Sequence, residues 1–136
     1  MATRQTPGSC LCGAVQFDIS GDFDAFFLCH CSRCRKNSGS AHGANLFAAY
    51  ATIAWRSGAE NVASYRLLDT RHARSFCKTC GSALPVEAAG GATLVVPAGS
   101  LDGPAGIRPT AHICCASRAE WDADLADVPH MDGLPG

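Results

Sequence analysis

Seven of the nine cysteines fall into three tight groups whose spacing suits metal thiolates. Cys10 and Cys12 stand at i and i+2, so on an extended chain both sulfurs point to one side and can hold one metal. Cys77 and Cys80, followed by Gly81, have the spacing at which a tight turn converges two thiolates while nearby amides donate to sulfur. Together these four soft donors make a closed tetrahedral zinc site. The competing reading is a reducible dithiol at Cys77 and Cys80, with Cys10 and Cys12 incidental.

Cys29, Cys31 and Cys34 combine both spacings in "CHCSRC" and form a three-thiolate tripod, one ligand short of a tetrahedron. Three protein ligands with an open position is the arrangement of catalytic zinc, where water or substrate completes the set. Two other readings stand beside it: a site closed by His30, His42 or Cys114, and a set of reduced thiols without metal. His30 lies between two of the cysteines, so an extended chain turns it away from them, into a supporting or exposed position. His42 and His112 are acid–base candidates only if the fold brings them to the tripod. His72 and His130 read as exposed. Cys114 and Cys115 are adjacent and face opposite ways, so at least one is expected to be a small buried hydrophobe.

Beside the tripod run Arg33, Arg35 and Lys36, then Ser38. These are candidate substrate contacts: the cations offset the charge of a three-thiolate metal and suit the carboxylates of a small thiol. The simpler reading is solvated surface. Overall charge is balanced, with 11 Lys plus Arg against 12 Asp plus Glu, which gives no global electrostatic case for nucleic acid. The start, "MATRQTPGS", lacks a signal-like apolar core, and no apolar run is long enough to span a bilayer, so no membrane partner is expected. Clustered thiols in an odd number without a signal point to metal binding in a reducing compartment, the cytoplasm, rather than to a secreted disulfide scaffold.

The elements that must carry these residues read as short strands. The 14 Gly and 7 Pro are spread along 136 residues, which is enough chain for one domain. "AVQFDIS" alternates, with Val15, Phe17 and Ile19 on one face. "ANLFAAYATIAW", "NVASYRLL", "ARSFC", "SALPVE" and "ATLVVPAG" are apolar runs between turn signals and suggest antiparallel strands. "RCRKNSG" reads as a short helix stopped at Gly39. From Ser117, one or two helical turns are expected to pack Trp121 and Leu125 as one face. Trp55, Phe47, Phe76 and Tyr65 read as core or rim packing.

In order, "GSCLCGAVQFDI", "CHCSRCRKNSGSA", "RSFCKTCGSALP", "PAGSLDGP", "PTAHI" and "SRAEW" resemble the glutathione-dependent formaldehyde-activating enzyme (GFA) family, which also includes centromere protein V-type proteins. The resemblance implies a mainly β, small single-domain fold: a zinc-stapled antiparallel β-tent of two splayed sheets with short helical turns. It divides the chain into a lead (residues 1–7), the zinc-binding domain (8–121) and an acidic tail (122–136). It assigns a structural zinc to Cys10, Cys12, Cys77 and Cys80 and a catalytic zinc to Cys29, Cys31 and Cys34, two Zn2+ per chain. The activity it implies is a carbon–sulfur lyase that joins glutathione, the small-molecule thiol partner, to formaldehyde. A binding module stapled by zinc and without chemistry is the alternative. The chain departs from the family pattern in having little between Ser40 and Tyr65, and in the two cysteines of "HICC".

Overall fold

The structure is a computed structural model and describes residues 3–136. In chain order its strands are β1 (Gln5–Ser9), β2 (Gln16–Ser20), β3 (Ala25–Cys29), β4 (Gly43–Ala48), β5 (Thr52–Ser57), β6 (Val62–Arg66), β7 (Ala73–Cys77), β8 (Ala83–Leu84), β9 (Val86–Ala88), β10 (Thr93–Pro97) and β11 (Ala111–Ile113). Helix α1 (Ser32–Ser38) lies between β3 and β4. The mainly β, single-domain reading holds. By hydrogen bonding the strands form three sheets rather than two, ordered β1-β2-β5, β11-β3-β4-β10-β9 and β6-β7-β8.

Period-two alternation builds the core. Val15, Phe17 and Ile19 are wholly buried while Gln16 is exposed, and Leu46, Leu84, Leu94 and Val96 meet them from the other sheets. Phe17 packs edge-on against Trp55 with ring centroids 5.8 Å apart. Gly8 of β1 lies directly over the Phe17 ring, where any side chain would collide.

Helix α1 is short and capped at both ends. Cys31 is its N-cap, in an extended conformation, and its Sγ accepts the Cys34 amide at 3.4 Å. Gly39 ends it in the left-handed region (φ 65°) and donates to the Arg35 carbonyl, the stop expected from the sequence. The one parallel pairing among the described strands joins β11 to β3, setting Ile113 opposite Cys29, and the His30 amide donates to the Ile113 carbonyl at 3.0 Å. This brings a segment from the far end of the chain to the tripod strand.

Four expectations need correction. Gln5, Thr6 and Pro7, read as lead, belong to β1 and pair with Ser20, Ile19 and Asp18. Trp121 and Leu125 form no packed helical face: they are 57% and 43% exposed, and the segment has only 3-10 turns at Cys115–Ser117 and Leu125–Asp127. Asp124 takes a left-handed conformation (φ 53°) between them, which interrupts a helix. Cys114 and Cys115 are both exposed, because Cys114 (φ 56°) turns the chain out of β11 into the first of those turns. Asp122, read as the first residue of the acidic tail, is packed into the domain at 7% exposed.

Candidate metal centres and the cleft beside them

The Sγ atoms of Cys10, Cys12, Cys77 and Cys80 all lie within 4.8 Å of one another. Cys10 directly follows β1, Cys77 ends β7, and the turn after it closes through the Gly81 amide donating to the Cys77 carbonyl at 2.8 Å. Gly81 has φ 79°, a conformation glycine adopts without cost. The Cys10–Cys12 and Cys12–Cys77 sulfur separations are 3.6 and 3.9 Å, far beyond a disulfide bond. Donors surround the set: the Val15 amide reaches Cys10 Sγ and Asn61 Nδ2 reaches Cys77 Sγ, both at 3.3 Å.

The Ser82 hydroxyl, the Ser82 amide and the Cys12 amide draw Cys80 down to about 5. Cys77 is lowered by the Cys80 amide above all. Cys12 goes the other way, up to about 11: the Ala14 amide pulls it down, but sharing its proton with Cys10, Cys80 and Cys77 and burial outweigh that pull. Cys12 thus holds its proton while Cys77 and Cys80 favour release, and a divalent cation would displace that proton. Four convergent soft donors with amides aimed at sulfur fit zinc.

The Cys29, Cys31 and Cys34 Sγ atoms also lie mutually within 4.8 Å. No fourth His, Cys, Asp or Glu among the described residues joins that set. Burial raises Cys29 and Cys34. Cys31 is also opposed by burial but ends below its ordinary value, because the Cys34 amide and the neighbouring thiols donate to it. The capping residue of α1 is therefore, of these three, the thiol best prepared to ionise. Three convergent sulfurs and an amide-stabilised thiolate again fit a thiophilic divalent metal.

His30 is turned away from the tripod, as its place between two cysteines requires, and is wholly buried. Its Nε2 lies 2.8 Å from His112 Nδ1, and its Nδ1 lies 3.3 Å from Asp122 Oδ2. The His42 ring packs on it with centroids 5.1 Å apart, and Arg118 Nη2 stands 3.3 Å from the same Asp122 oxygen. Burial, then the nearby His42 and Arg118 charges, hold the His30 value down. The fold thus gathers His30, His42 and His112 behind the tripod, with an Asp122–Arg118 pair that sequence reading missed. The one cue was the i, i+4 spacing of Arg118 and Asp122, which looks like any solvated pair.

A cleft of about 970 Å3 opens beside the tripod and reaches Cys34. Its cationic residues are Arg66, Arg71 and Arg74 of the β6–β7 hairpin. Arg35 and Lys36, the sequence candidates, line a separate hollow of about 210 Å3 with Trp121. Arg33 is exposed and contributes with burial to lowering His72. Ser38 Oγ is spent inside the fold, donating to the Cys34 carbonyl at 2.8 Å and close to the His42 carbonyl at 3.2 Å. The arginines were missed because they are scattered through "YRLLDTRHAR", and only the hairpin gathers them.

Residues 5–117 match the family model of the glutathione-dependent formaldehyde-activating enzyme, GFA. The chain belongs to the GFA family. Among its relatives, a Halomonas elongata protein provisionally named a glutathione-dependent formaldehyde-activating enzyme is 37% identical over 82 residues, 57% of this chain and 52% of that protein. The chain thus spans about half the length of this curated GFA relative. A solved Rhodobacter sphaeroides protein shares the fold, with TM-score 0.57 and 24% identity over 76% of this chain and 91% of that one.

Proposed function

We propose that this GFA-family chain is a zinc-dependent carbon–sulfur lyase acting on a thiol adduct such as S-hydroxymethylglutathione. The observation that carries the reading is the tripod: three convergent sulfurs, no fourth donor among the described residues, and a cleft that reaches Cys34. Cys29, Cys31 and Cys34 would hold the working zinc, and Cys10, Cys12, Cys77 and Cys80 a structural one. When bound at the tripod, zinc supplies a position at which an incoming thiol loses its proton and becomes nucleophilic at neutral pH.

The residues of the chain account for the rest. The Cys34 amide donates to Cys31 Sγ and favours its ionised form, while β3 carries Cys29, α1 carries Cys34 and Cys31 caps the helix between them. In the forward direction the sulfur adds to the formaldehyde carbon, the carbonyl oxygen takes the proton, and one C–S bond forms; the reverse breaks that bond and returns thiol and aldehyde. The cleft orients the thiol's remaining groups toward its walls.

The expected metal content is two zinc per chain, falling to one in Cys31→Ser with an unchanged circular dichroism spectrum. One zinc in the native protein, untouched by that substitution, overturns the assignment and leaves the binding module. Exchange between glutathione and labelled formaldehyde, followed by NMR, is expected to speed up with the native protein and not with Cys31→Ser.

A further inference from the structure

The residue between two of the tripod cysteines is held at every polar group it has. The His30 amide donates to the Ile113 carbonyl of β11 at 3.0 Å, and the His30 carbonyl accepts from Arg35 Nε of α1 at 3.4 Å. Its ring is wholly buried, with Nε2 2.8 Å from His112 Nδ1. Its Nδ1 lies 3.3 Å from Asp122 Oδ2, off the line of a full hydrogen bond, and no other group among the described residues serves it. Three separate parts of the chain therefore converge on one residue: β11, α1 and the turn that carries Asp122.

Asp122 is the member of this group that packing alone does not explain. A buried carboxylate is unfavourable unless its partners offset the lost hydration, and its charged partners are His30 and Arg118. The backbone fixes it in place, since its amide donates to the carbonyl of the buried Ala119 at 3.0 Å. Arg118 and Asp122 both lie past residue 117, where the family match ends. An ionised carboxylate only accepts, so it keeps a proton on His30 Nδ1 and leaves Nε2 to accept from His112. Cys29 ends β3 and Cys31 is extended, so the two cysteines share one side of the chain and His30 takes the other. A hold on the imidazole from behind is thus a hold on the peptide between two sulfurs.

We infer that Asp122 is a positioning residue for the three-cysteine cluster: through His30, and steadied by Arg118, it fixes the peptide that carries Cys29 and Cys31 and so sets how the three sulfurs converge. The inference rests on the proposed function for what the sulfurs hold. It makes the turn beyond the family match a working part of the site, through a residue that does not line the cleft.

The test uses Co2+ as the probe, because its absorption reports the geometry of the thiolates around it. Asp122→Ala is expected to weaken Co2+ binding at the tripod by about 10- to 100-fold, the usual effect of losing a contact that supports a metal ligand, and to shift the absorption bands. Affinity at the four-cysteine cluster is expected to stay as in the native protein. Asp122→Asn, which keeps an oxygen toward His30, is expected to recover most of the loss. A double variant, His30→Phe with Asp122→Leu, exchanges the buried polar pair for apolar groups. Its urea midpoint is expected to match or exceed native while the tripod stays weakened, which separates positioning from packing and decides the matter if Asp122→Ala does not fold. Tripod affinity within about twofold of native in Asp122→Ala, or restored in the double variant, would overturn the inference. In metal-free protein, hydrogen exchange at the His30 amide, read by NMR, is expected to quicken in Asp122→Ala while the β2 amides do not change. That readout keeps the two proposals apart. If Cys31→Ser leaves metal content unchanged but the His30 amide quickens, the tripod reading fails and the hold on the peptide stands. If metal content falls from two to one in Cys31→Ser while Asp122→Ala binds Co2+ like the native protein, the positioning role fails and the tripod stands.

Discussion

At the scale of single residues, the two cysteine clusters were legible because the close spacings that suit a shared metal can be read directly from the sequence. Their partners were not, because a buried histidine is satisfied by residues far along the chain. His30 and its neighbour Asp122 are 92 positions apart by number, and nothing local in "CHCSRC" points to the second. The same holds for Asn61, whose amide reaches both Cys77 Sγ and Thr79 Oγ1. Asn61→Ala is expected to lower zinc affinity at the four-cysteine cluster by about 10- to 100-fold, the cost of losing such a supporting contact, measured by competition with a chromophoric chelator. His72 supplies a pH dependence. Burial first, then the Arg33 and Arg74 guanidiniums, hold its value below the ordinary 6.5. The unfolded chain therefore takes up more protons just below pH 6.5, so stability from this group is present above that pH and is lost as pH falls. Urea midpoints of His72→Gln are expected to fall less steeply than native on acidification below that pH.

Among the elements, the alternating strand and the glycine-stopped helix were readable because each rests on local rules. β11 was not, since a parallel partner is fixed by the whole path of the chain and not by its own three residues. The tail helix failed for a related reason. Propensity and one i, i+4 pair could not overcome left-handed turns at Cys114 and Asp124. Gly58 shows how tightly the connections are built. It sits at φ 73° after β5, and an added methyl group would fall on the Ala14 carbonyl. Gly58→Ala is expected to cost about 2 kcal/mol or more, by strain at a left-handed position and by collision. Equilibrium urea unfolding would measure it, and a midpoint equal to native would contradict the packing at this turn.

For the molecule as a whole, three small sheets share one core, and the four-cysteine cluster stands where the β1-β2-β5 sheet meets β7 and β8. No backbone ladder joins those two sheets among the described strands, so the thiols add a tie to the shared core and to the Leu11 amide's bond to Ser82 Oγ. Metal removal by a strong zinc chelator is expected to lower the thermal midpoint sharply and broaden the transition. Cys77→Ser should reproduce that loss, whereas Cys31→Ser should shift the midpoint much less. The two clusters also differ in reach: Cys12 and Cys77 are separated by 65 positions, while the tripod fits in one hexapeptide. Closing a long loop costs more entropy than closing a short one. During synthesis the tripod can therefore load as soon as its own segment leaves the ribosome, while the other cluster must wait for β7 and the turn after it. Biosynthesis would then load the proposed working site early and the other cluster late, an order that thiol-alkylation of stalled nascent chains would reveal as early protection of Cys29, Cys31 and Cys34.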